Sequence, residues 1–116
     1  MRTMTRAARA YAAAASHRGL REQEADAFLH ANAALRNARE SGRTLDRVRA
    51  LADNDRLWTM VTALLRDPDN VLPADLKASM VSIGIAVQRE MQRETPDLAF
   101  LMQVNENIAA GLSGGS

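Results

Sequence analysis

The stretch Leu51–Met91, LADNDRLWTMVTALLRDPDNVLPADLKASMVSIGIAVQREM, decides the fold. Leu57, Trp58, Val61, Leu64 and Leu65 recur at offsets of one, three and four residues, the period of a helix with one buried face. Leu76, Met80, Ile83, Gly84, Val87 and Met91 repeat the pattern further on. Between the two runs, Asp67-Pro68-Asp69-Asn70 gathers turn formers, and Pro73 suits a first helical position, where a missing N–H costs little. The segment is expected to form a helix, a sharp corner and a second helix folded back on the first.

Upstream, Thr44 is a candidate N-cap, and Leu45, Val48, Leu51, Trp58, Val61 and Leu65 continue the same stripe. Asp53-Asn54-Asp55 interrupts it, and Asn54 falls on the apolar face between Leu51 and Trp58. One continuous helix with an inward amide is the preferred reading, a bend at this point the alternative. Further back, Leu20–Ser41 reads as a helix with Ala25, Phe28, Leu29, Leu35 and Ala38 inward, stopped by Ser41-Gly42. Acidic and basic residues at its opposite ends suit the helix dipole. Met4, Ala7, Ala8, Tyr11 and Ala15 share one face of a first helix that ends near Gly19. Downstream, Thr95-Pro96-Asp97 signals a helix start, followed by Leu98, Leu101, Met102, Ile108, Ala109 and Leu112 on one face, with Asn105 among them. The expectation is an all-α fold, a single compact bundle of about five helices over residues 1–112, with Ser113-Gly114-Gly115-Ser116 as a flexible tail.

Composition agrees. The chain has 116 residues, enough for one modest core, and its 3% aromatic content suits thin helices packed through Ala and Leu rather than a β-sandwich. Fifteen Lys and Arg against fourteen Asp and Glu give a net charge of +1, so no electrostatic footprint of a nucleic-acid binder is present. With no cysteine there is neither a disulfide framework nor thiolate chemistry. Arg6 and Arg9 interrupt any export-signal core near the start, and no apolar run is long enough to span a membrane. A cytoplasmic protein is expected, without membrane insertion.

Catalytic patterns are missing. His17 and His30 have no metal-ligand spacing, and no phosphate loop, nucleophile elbow or carboxylate–histidine motif occurs. Asp53/Asp55 and Asp67/Asp69 read as residues flanking helix ends and turns. Neither an enzyme nor a cofactor or metal site is expected. Arg36, Arg39, Arg43, Arg47, Arg49 and Arg56 form the densest cationic stretch; interspersed acids and absent aromatics make a solvated helix face the plainer reading than an RNA-gripping surface. Asn54 and Asn105 sit on apolar faces, where an unpartnered amide costs about 1–3 kcal/mol. They either bond across the bundle or line a groove for a partner's backbone. Trp58 is a core anchor or a groove edge. Gly84, in a helix interior at a cost of about 1 kcal/mol against alanine, implies a close contact, most simply with the other hairpin helix. Leu57, Trp58, Ile83 and Gly84, with Asn54 and Asn105, are the candidate partner-binding residues.

Taken in order, Ala10-Tyr11, Arg21-Glu22 with Glu24, Asn54 with Leu57-Trp58, Leu72-Pro73 with Leu76, Val81-Ser82-Ile83-Gly84, and Val104-Asn105 with Ile108 and Gly111-Leu112 form a recognisable series. It resembles the FlaF family of small flagellar biosynthesis regulators over nearly the whole chain. The block from Asn54 to Gly84 is the most specific part. Ile85-Ala86-Val87 and Asp55-Arg56 depart from the family pattern, which has an aromatic after the glycine and a basic residue beside the asparagine. The resemblance implies a non-enzymatic role in flagellin production: control of flagellin synthesis in opposition to a second regulator, FlbT, and chaperoning of flagellin before export. Flagellin is thus the expected partner, and an RNA-binding regulator of flagellin message the alternative.

Overall fold

A computed structural model describes the backbone of residues 6–114 and the side chains of residues 24–112. Four helices account for nearly all of it: α1 (Arg6–Ser41), α2 (Thr44–Arg66), α3 (Ala74–Met91) and α4 (Leu98–Gly114). No strand occurs among the described residues.

The fold class is as expected; the helix number is four because the two expected N-terminal helices are one. α1 passes straight through Gly19. A single interior glycine costs about 1 kcal/mol against alanine, too little to end a helix with an alanine run before it and LREQEA after it. Its true stop is Gly42, at φ +66°, whose N–H reaches the Ala38 carbonyl at 3.0 Å. Of the expected first-helix face, Met4 lies outside the described residues, and Ala7, Ala8, Tyr11 and Ala15 lie outside the described side chains.

The other helix starts differ from expectation by one or two residues. Thr44 is already helical, and Arg43 takes the cap position without a side-chain cap. The Ser41 hydroxyl organises this turn instead, accepting the Arg43 N–H at 3.2 Å and donating to the Asp46 carboxylate at 2.8 Å. α2 then continues unbroken through Asp53-Asn54-Asp55, where Asp53 pairs with Arg56 on the outer side. Those acids therefore sit in mid-helix rather than at a helix end.

At the corner, the Asp67 carboxylate accepts the Asp69 N–H at 2.9 Å, and the Asn70 amide donates to the Leu64 carbonyl at 2.9 Å, satisfying one of the open carbonyls that end α2. Pro73 caps α3 rather than opening it. α4 starts two residues later than Thr95-Pro96 suggests: the Asp97 carboxylate accepts the Phe100 N–H at 3.1 Å, a side-chain N-cap. Pro96 belongs to the loop, its carbonyl held by Arg47, and the Asp97 N–H is held by Glu90.

α1 lies between α2 and α4, while α3 packs on α2 and more lightly on α4, without touching α1. The helices thus stand at the corners of a square, α1 opposite α3 and α2 opposite α4. Phe28 and Leu35 of α1, Trp58 of α2, Val87 of α3 and Leu101 of α4 fill the middle.

Five residues expected inside are exposed: Leu29, Leu45, Val48, Leu64 and Leu76. Leu29 falls just beside the buried arc of Ala25, Phe28, Ala31 and Leu35. Leu45 and Val48 lose their cover because α3 is the shorter partner. Its last residue, Met91, already lies opposite Asn54, so the first turns of α2 extend past it.

Candidate functional site

The centre of the bundle is polar by design of spacing. The Trp58 indole N–H donates to the Asn105 side-chain oxygen at 2.9 Å, and the Asn105 amide donates to the Asn54 oxygen at 2.7 Å. The Asn54 amide in turn faces the Met91 sulfur at 3.3 Å. This relay crosses the diagonal from α2 to α4 and returns to α3. Asn54, Trp58 and Asn105 are each fully enclosed. An indole and two amides find mutual partners where water does not reach, which is the condition for burying them cheaply. The cross-bundle bond between the two asparagines is the structural arrangement their spacing allowed.

A third asparagine, which the sequence reading passed over, joins α1 to α4. The Asn32 amide donates to the Met102 carbonyl at 2.9 Å, while its side-chain oxygen is buried without a protein partner. Its register was the available signal: Asn32 lies four residues after Phe28 and three before Leu35, both fully buried.

Trp58 also explains Gly84. A Cβ at Gly84 would lie 3.5 Å from Trp58 Cε3 and 3.6 Å from the Thr62 hydroxyl, so the two hairpin helices touch through the face of the indole. Phe28 meets the same ring edge-on, with centroids 5.6 Å apart, a geometry worth about 0.5–1.5 kcal/mol beyond area burial. Of the six candidate partner-binding residues, Asn54, Trp58, Gly84 and Asn105 are inside the bundle, Leu57 is buried at its edge, and Ile83 is half-buried.

The surface available to a partner lies one to two turns further along α2. There Met60 and Leu64 are 48% and 42% exposed, and across the corner Leu72 and Leu76 are exposed as well. Met60, Leu64 and Leu72, with Phe28, Leu57, Val61, Leu65 and Met80, border an apolar groove between α1, the end of α2 and the start of α3, and Leu112 of α4 also lines it; Leu76 lies outside this lining. Leu57 is the one candidate residue that lines it. Val61 and Leu65 remain buried to the end of α2, and Met60 and Leu64 flank them on the exposed side. Leu64 and Leu76 are only partly covered, although the sequence reading placed both on buried stripes.

Half of the arginine stretch is engaged in contacts within the bundle. Arg36 pairs with Glu106 at 3.5 Å, Arg56 with Asp53, and Arg47 holds the Pro96 carbonyl. Among the described residues no three histidine or acidic side chains converge as metal ligands, and no helix is long and apolar enough to cross a membrane.

No curated protein and no solved structure matches the chain. A family model does: Flagellar protein FlaF, over residues 7–112. The match runs from the start of α1 to the last turns of α4, and takes in the asparagine relay, the Trp58–Gly84 contact and the corner groove. The chain therefore belongs to the FlaF family of flagellar proteins.

Proposed function

We propose that this protein is a non-enzymatic, cytoplasmic chaperone and regulator that binds flagellin and supports its synthesis and secretion, in a functional link with FlbT. The observation that carries the reading is the open apolar groove at the α2–α3 corner. A filament subunit must keep its self-associating helices covered until export, and an all-α bundle does this by receiving an amphipathic segment in a groove. Methionine and leucine line that groove, and the flexible thioethers of Met60 and Met80 can adapt to an incoming helix. Regulation through flagellin message draws no support from the Arg36–Arg56 face, where three of the six arginines already have partners on the protein.

The test is co-purification of flagellin with the full chain, compared with Leu64→Glu. Flagellin should be retained by the unaltered protein and lost from the variant, with the helical melt unchanged. A protein that leaves flagellin entirely in the unbound fraction overturns the proposal.

A further inference from the structure

We infer that the corner groove is selective for a cationic amphipathic helix. The proposal rests on the groove described above, and on its charge rather than on flagellin as such. Met60 and Leu64 stand one helical turn apart on α2, and Leu72 and Leu76 face the solvent across the corner. Two such rows suit apolar anchors at helical spacing on an incoming segment.

The charge around this floor has one predominant sign. Among the described residues, Glu24 is the one charged side chain that lines the groove. Asp67 and Asp69 lie in the turn whose Asn70 and Leu72 border it, and Asp75 opens α3 three residues later. Against these four carboxylates stand, among the described residues, Arg66 and Lys77, the Lys77 ammonium bound to the Asn70 carbonyl at 2.5 Å, while Arg56 beside Met60 is paired with Asp53. Lysines or arginines flanking the anchors of a bound helix would meet acids on this rim; glutamates would meet like charge. The same rim argues against a second copy of the chain as occupant. A two-fold contact through this face would bring two copies of the same acid-rich rim together.

The experiment uses the full chain and two synthetic amphipathic helices that share one leucine face, one flanked by lysine and the other by glutamate. The lysine peptide should bind about tenfold more tightly, as two or three partly exposed pairs at 0.2–1 kcal/mol each would provide. Raising salt should weaken it and, by screening the like-charge repulsion, strengthen the glutamate peptide, so that the gap between them narrows. Leu64→Glu should abolish binding of the lysine peptide, and Asp69→Lys with Asp75→Lys should reverse the preference. A thermal melt checks that each variant folds, and the salt series on the unaltered protein decides the matter if the double variant does not. Equal affinity, preference for glutamate, binding undiminished by Leu64→Glu, or self-association that competes with the peptide each overturns the inference. Flagellin retained without any charge preference sinks this inference alone. A lysine preference in a protein that ignores flagellin sinks only the flagellin reading.

Discussion

The middle of α2 and its C-terminal end carry the same apolar stripe but meet different fates. At Asn54 and Trp58 the stripe is enclosed by α1, α3 and α4, and every polar atom of the relay there has a partner. Toward the C-terminal end Val61 and Leu65 stay buried, but Met60 and Leu64 beside them are left partly open. The enclosed part specifies how the helices fit; the open part is the surface with room for a guest. Polarity and burial are thus arranged contrary to a simple oil-drop picture, with amides at the centre and methionine and leucine at the rim.

The largest effect should come from Trp58→Ala. It removes the indole that Phe28 and Gly84 pack against and orphans the Asn105 oxygen, so a loss of about 3–5 kcal/mol is expected in denaturant unfolding. A loss below 1 kcal/mol would mean that the centre is not enclosed as described.

The asparagines should rank next, and unequally. Asn105→Leu strips partners from both the Trp58 N–H and the Asn54 oxygen, whereas Asn54→Leu strips one from Asn105 and, beyond that, only the weak contact to the Met91 sulfur. Losses of about 1–3 kcal/mol are expected, with the Asn105 change the greater. Equal losses, or none, would remove the relay from the account.

Gly84 sharpens the contrast further. Alanine's Cβ would land at an ordinary contact distance from the indole, so Gly84→Ala should raise stability by up to about 1 kcal/mol through helix propensity. Gly84→Leu should instead cost about 1–3 kcal/mol by forcing the hairpin apart. Thermal melts of the pair would settle the sign.

At the open end the stability effect should be smallest. Leu64→Glu should move the unfolding free energy by no more than about 0.5 kcal/mol while eliminating partner binding. A marked drop in stability there would show that Leu64 belongs to the enclosed core after all.

Much of this was legible in the residues. The hairpin, the inward Asn54 and Asn105, and the need for a close contact at Gly84 all follow from period and composition. The stop at Gly42 was legible too, since serine and glycine close a run of inward apolar positions. Gly19 misled because a glycine marks a stop only where the flanking helix is weak, and here alanines precede it. Thr95 misled because two residues later stood a better cap, Asp97, whose claim depended on Glu90 and Arg47 holding the loop.

Local sequence determined that the chain is helical, where it turns back, and which side chains share a face, because these depend on neighbours within a turn or two. Only the tertiary structure decided which part of each face is covered. Leu45 and Val48 are exposed because α3 ends too soon, and Met60 and Leu64 are partly exposed because they flank the covered arc of Val61 and Leu65. It also decided what the buried amides bond to. Periodicity places a group on a face, but the partner that satisfies it lies 37 to 70 residues away along the chain, and only the packing of four helices brings the two together.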